Sequence, residues 1–123
     1  LMGIIYAPAL LISFIITDFF IGFHNLTYFT WGSVIFISLM SKYFNRYFLS
    51  RICGVLIGSL LFFIITNFGV WSTGMYGYTL NGLIICYIAA LPFFGNTLIS
   101  TLIFSSLIEL IYWQFFIGTK KIY

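Results

Sequence analysis

Apolar positions in this chain run on without alternation. Val34-Ile35-Phe36-Ile37 and Leu60-Leu61-Phe62-Phe63-Ile64-Ile65 are unbroken, whereas a membrane β-strand alternates polar and apolar residues. Five apolar stretches, 3–22, 27–41, 52–71, 79–93 and 97–117, are separated by short breaks. The breaks are Gly22-Phe23-His24-Asn25, the basic stretch Lys42 to Arg51, the segment Ser72 to Tyr78 with Gly74 and Gly77, and Pro92-Phe93-Phe94-Gly95-Asn96. A bilayer crossing takes roughly 20 apolar residues, so the second and fourth stretches are short. The pattern predicts an all-α, polytopic transmembrane helix bundle of about five helices, forming one domain over 1–123. The chain opens at Leu1 with its first apolar run under way, and we expect it to be N-terminally incomplete. Residues 1–22 lack the basic n-region and small-residue cleavage site of a signal peptide.

Composition sharpens the class. Of 123 residues, 63% are hydrophobic and 6% charged, and the mean hydropathy is +1.16. Soluble domains carry about 25% charged residues, so an ordinary soluble fold, a disordered tail and a nucleic-acid binder are excluded. The lipid bilayer is the expected partner. Trp31, Trp71, Trp113 and many tyrosines fall near helix ends, where amphipathic rings sit at the headgroup level.

Charge bears on orientation. Lys42, Arg46 and Arg51 fall on one face of the five-helix layout, and Lys120 and Lys121 on the other. The positive-inside rule then places the 42–51 loop in the cytoplasm by three against two. That loop is read as a headgroup anchor.

The two acidic residues, Asp18 and Glu109, lie inside apolar runs. An ionisable residue in a membrane helix is costly and by default points to function. In the five-helix layout both lie toward the face opposite the basic loop. Thr17, His24, Asn25, Thr66, Asn67, Trp71, Tyr76, Tyr78, Thr79 and Asn81 gather at that same face. Few placed polar groups among apolar walls describe a small-molecule site. We expect Asp18, His24, Asn67, Trp71, Asn81 and Glu109 to line it.

Thr97, Thr101, Ser105 and Glu109 recur every four residues and so share one helix face. They serve either helix–helix hydrogen bonding or the lining of a cavity. Gly54 and Gly58 form a G-x-x-x-G step, and Gly82, Cys86 and Ala90 a small-residue stripe. Such residues let helices approach closely, for packing within the chain or for homodimerisation. Cys53 and Cys86 have no metal-ligand spacing and are read as packing residues. The chain carries no cofactor motif, and no nucleophile–base constellation of an enzyme.

Four segments carry a family resemblance. Thr17-Asp18-Phe19-Phe20-Ile21-Gly22-Phe23-His24 resembles S-D-x-x-x-G-x-H. Phe62 to Trp71 resembles F-F-x-x-T-N-F-G-V-W. Tyr76-Gly77-Tyr78-Thr79-Leu80-Asn81-Gly82-Leu83 resembles Y-P-x-T-x-x-G-L, and Cys86 to Leu98 resembles C-Y-x-x-A-x-P-F-F-x-N-T-L. Together they resemble a family of uncharacterised small bacterial membrane proteins, similar in size and layout to the substrate-binding S components of energy-coupling-factor vitamin transporters. The resemblance implies six helices in the intact protein, a multi-pass place in the inner (plasma) membrane, uptake of a small solute such as a vitamin, and partner energising subunits. The different-class alternative is a structural or assembly subunit of a membrane complex. Thr17 stands where the motif has Ser, Gly77 where it has Pro, and Ser100-Thr101 where Gly-Asp is expected.

Overall fold

The computed structural model describes residues 2–44 and 46–117. The protein is all-helical. Its α-helices are α1 (Met2–Ile21), α2 (Thr27–Met40), α3 (Phe48–Ser72) and α4 (Leu80–Tyr112); a 3-10 turn, Ser41–Phe44, follows α2, and a π-helical turn, Trp113–Ile117, follows α4. Among the described residues two helices are long and apolar enough to cross a membrane, Phe48–Ser72 and Leu80–Phe115, with 18-residue windows of mean hydropathy 2.3 and 1.8.

Four α-helices thus stand where five stretches were expected. The stretches 79–93 and 97–117 join into one helix of 33 residues, with Pro92 inside it, about 50 Å long at 1.5 Å per residue. Proline removes one helical N–H and crowds the preceding turn. Apolar membrane helices tolerate that loss, and α4 runs on through it. Beyond the proline its hydroxyls bond back within the helix, Thr97 Oγ1 to the Phe93 carbonyl at 2.9 Å and Ser100 Oγ to that of Thr97 at 3.0 Å.

Joining those stretches reverses the direction of everything after residue 96. The turns at 22–26 and 73–79 share one end of the molecule, called here the glycine end. The segment 41–47 and the C-terminal end of α4 share the other, the basic end, because Glu109 is paired with Arg51. Glu109 therefore lies opposite Asp18, not beside it as the five-helix layout had it. Lys120 and Lys121 lie outside the described residues, but the described chain leaves α4 at the end that holds Lys42, Arg46 and Arg51.

Among the described residues α1 packs on α2, α2 on α3 and α3 on α4, and no other two α-helices come into close contact. The helices form an open row. A single layer buries little, so Val34, Cys86, Asp18, Thr27 and Ser33 are the buried side chains, while aliphatic and aromatic residues cover both outer faces.

Small residues set the spacing within the row. A Cβ on Gly54 would lie 2.6 Å from Phe44 Cβ, one on Gly58 3.1 Å from Ile37 Cγ2, and one on Gly69 2.6 Å from the Phe29 ring. The G-x-x-x-G step thus faces α2 and the 3-10 turn of the same chain. Gly82 is pressed against the backbone of Tyr76 and Gly77, and Cys86 is buried beside Asn67, its Sγ donating to the Asn67 carbonyl at 3.4 Å. Cys53 is exposed. Gly77 has φ +78°, a backbone conformation closed to the proline that the resembled motif carries there.

Candidate functional site

Of the six residues expected to form one site, Asp18, His24, Asn67, Trp71 and Asn81 lie toward the glycine end, divided between two helix seams, and Glu109 lies at the basic end. Asp18 sits on the α1–α2 seam and is only 8% exposed. Its Oδ2 accepts a hydrogen bond from Trp31 Nε1 at 2.8 Å, and Phe23 packs edge-on against the Trp31 ring. A carboxylate in such a place needs a donor, since burial without one is costly. His24 is exposed and closes the turn into α2: its Nδ1 lies 2.9 Å from Thr27 Oγ1, which also accepts from the His24 backbone N–H at 3.3 Å.

Asn67 is half-buried, and its Nδ2 donates to the Phe63 carbonyl one turn back at 2.8 Å. Trp71 Nε1 donates to the Thr79 carbonyl at 3.2 Å, and its ring touches Phe68 and Tyr78. That contact ties the 73–79 turn to α3. Asn81 is exposed in the first turn of α4, where Thr79 Oγ1 caps the helix by accepting from the Gly82 N–H at 3.0 Å. Asn67, Trp71 and Asn81 share the glycine end of the α3–α4 pair. Asp18 is separated from them by α2, and Glu109 by the length of α4.

A roomier cavity than any beside the glycine-end residues lies at the basic end, and a smaller one adjoins Asn67. The roomier one occupies about 510 Å³ in the trough above α3, between α2 with its 3-10 turn on one side and α4 on the other. Its walls are mostly apolar, with Ile37, Met40, Phe44, Val55 and Phe62 among them. Into it face Arg51 and Glu109, joined as a bidentate pair: Nη2 donates to Oε2 at 2.8 Å, and Nε donates to Oε1. Both side chains keep part of their surface open, 33% for Arg51 and 20% for Glu109. Ser41, Ser59, Thr101 and Ser105 add hydroxyl groups to the lining. The smaller cavity, of about 250 Å³, lies between α3 and α4 at mid-height, beside Asn67, Thr66, Ala90 and Thr97.

Three members of the four-residue polar stripe, Thr101, Ser105 and Glu109, therefore line the larger cavity, and Thr97 lines the smaller. Arg51 and Trp31 are the two polar partners that sequence reasoning did not place in a site. Arg51 was grouped with a headgroup-binding loop, although it sits inside α3. Both left a signal. Asp18 and Trp31 are equidistant from the 24–25 turn, so a helical hairpin must bring them level. Arg51 directly precedes the apolar run 52–71, and Glu109 is the sole carboxylate of the last helix.

The known proteins add one finding. Residues 4–116 match a family of unknown function, DUF6580. The chain belongs to that family. No curated protein and no solved structure matches it. No cluster of three or more His, Cys, Asp or Glu side chains able to hold a metal occurs among the described residues.

Proposed function

We propose that this DUF6580 protein is a multi-pass protein of the cell inner (plasma) membrane that binds a small solute for uptake, in the manner of an S component that docks on energising subunits. The observation that carries this reading is the apolar cavity of about 510 Å³ with one charged pair and a few hydroxyls facing it. Small-molecule sites span roughly 300–1,000 Å³ and combine apolar walls with a few orienting polar groups. The binding residues are then Arg51 and Glu109 with Ser59, Thr101 and Ser105, instead of the glycine-end group. Lys42, Arg46 and Arg51 at one end favour a cytoplasmic basic end. The cavity then faces inward, the arrangement from which a solute is released.

The test is a thermal-shift screen of the purified full-length protein against vitamins and amino acids. Ser105→Trp places an indole in the cavity. It should abolish any stabilisation seen with the wild type. A stabilising solute that Ser105→Trp leaves unaffected binds elsewhere, and the cavity reading is lost.

A second reading, a structural or assembly subunit, is favoured by the open row, in which the outer faces of α1 and α4 lack a helical neighbour among the described residues. It predicts a membrane partner that copurifies with the wild type and with Ser105→Trp alike, and no solute response.

A further inference from the structure

The charge pattern of the larger cavity defines the class of ligand it takes. This inference rests on the reading of that cavity as the solute site.

Arg51 and Glu109 face the cavity together, and their sum is zero. An anion that takes the guanidinium strands Glu109 beside apolar walls, and a cation that takes the carboxylate strands Arg51. An unpaired charge in such partly desolvated surroundings is unfavourable. A ligand carrying both an acid group and an ammonium group replaces each partner with its own, and no charge is left alone. The pair also lies at one end of the space. From Arg51 the lining continues along α3 to Phe62, about 16 Å at 1.5 Å per residue, past Ile52, Val55 and Leu61. Charge is thus confined to one end, and mostly apolar surface with a few hydroxyls, Ser59 and Thr101 among them, fills the rest.

We infer that the cavity binds a zwitterion with an apolar body: the acid group on the Arg51 guanidinium, the ammonium on the Glu109 carboxylate, and the body along α3 toward Phe62. The pair opens to admit the head. Arg51 supplies a planar fork suited to a carboxylate or phosphate. The thresholds of the pair set selectivity by net charge.

Three probes share one apolar body and differ in charge: phenylalanine is a zwitterion, hydrocinnamate an anion and phenethylamine a cation. Binding to the full-length protein in nanodiscs is read by calorimetry. Phosphatidylethanolamine and phosphatidylglycerol, followed by native mass spectrometry, present the same contrast with a lipid as the source of the head. The expected result is preference of about tenfold or more for the zwitterion over its single-charge analogues, with phenylalanine if the ligand is a free solute and with phosphatidylethanolamine if it is a lipid. Glu109→Gln should shift preference to the anion and Arg51→Gln to the cation. A merely structural ion pair would not produce that inversion. The swap Arg51→Glu with Glu109→Arg keeps a pair and should retain zwitterion binding. Equal binding of the three analogues, or a preference that neither single variant moves, overturns the inference. If no zwitterion binds while Ser105→Trp still abolishes the response to some solute of another class, the zwitterion inference falls and the cavity reading stands.

Discussion

Arg51, the fourth residue of α3, holds Glu109, the fourth from the end of α4, through a two-point ion pair. The pair fixes the antiparallel register of the two longest helices at the basic end. Breaking it from one side leaves the other charge without its partner. We expect Arg51→Gln or Glu109→Gln to lower stability by about 1–2 kcal/mol, below the cost at a fully buried pair because both side chains are partly open. The double variant should be less destabilised than the sum of the singles. Unfolding of the four proteins in detergent measures this; strict additivity would mean that the two side chains do not couple.

Asp18 and Trp31 make the corresponding link between α1 and α2. Trp31→Phe keeps the ring and deletes the donor to Asp18 Oδ2. The variant should lose about 1–3 kcal/mol, the cost of a buried acceptor left unmade. Adding Asp18→Leu to Trp31→Phe removes the stranded acceptor and should recover part of the loss. Denaturation midpoints of the single and double variants test it.

Two glycines distinguish obstruction by a side chain from obstruction by backbone. At Gly69 an added methyl meets the Phe29 side chain near its root; at Gly82 it meets backbone carbonyl groups of Tyr76 and Gly77, closer still. Overpacking costs typically about 1–3 kcal/mol. Gly82→Ala should be the worse of the two. Phe29→Ala should relieve Gly69→Ala and leave Gly82→Ala unimproved. A Gly69→Ala protein as stable as the wild type would contradict the close α2–α3 approach.

The single long helix α4 makes a topological prediction. Arg46 and the C-terminus should lie on the same side of the membrane, and Tyr78 on the other. In intact cells a membrane-impermeant maleimide should label Tyr78→Cys. Arg46→Cys and a C-terminal cysteine should be labelled only after permeabilisation. Labelling of Arg46→Cys and a C-terminal cysteine from opposite sides would restore the five-crossing layout.

Much of the fold was legible in the sequence because strongly apolar helices declare themselves by unbroken apolar runs. The starts of α2 near Thr27 and of α4 near Thr79, and the glycine-bearing turns, were all visible in the order of residues. The break at Pro92-Phe93-Phe94-Gly95-Asn96 was misread. Proline and glycine mark turns where water competes for the backbone, and an apolar helix carries on through them. That one difference moved Glu109 to the end opposite the other five residues.

The sequence by itself determined that this is an all-helical, strongly apolar chain whose few charges must be accounted for one by one. It also placed the close-packing glycines and the polar stripe of α4 on single helix faces, because helical periodicity is a local property. Only the tertiary structure decided which charges meet. The Asp18–Trp31 contact follows from a short hairpin, whereas Arg51 and Glu109 are 58 residues apart. Their meeting depends on the direction in which α4 runs, a choice between two layouts that have the same hydrophobic pattern.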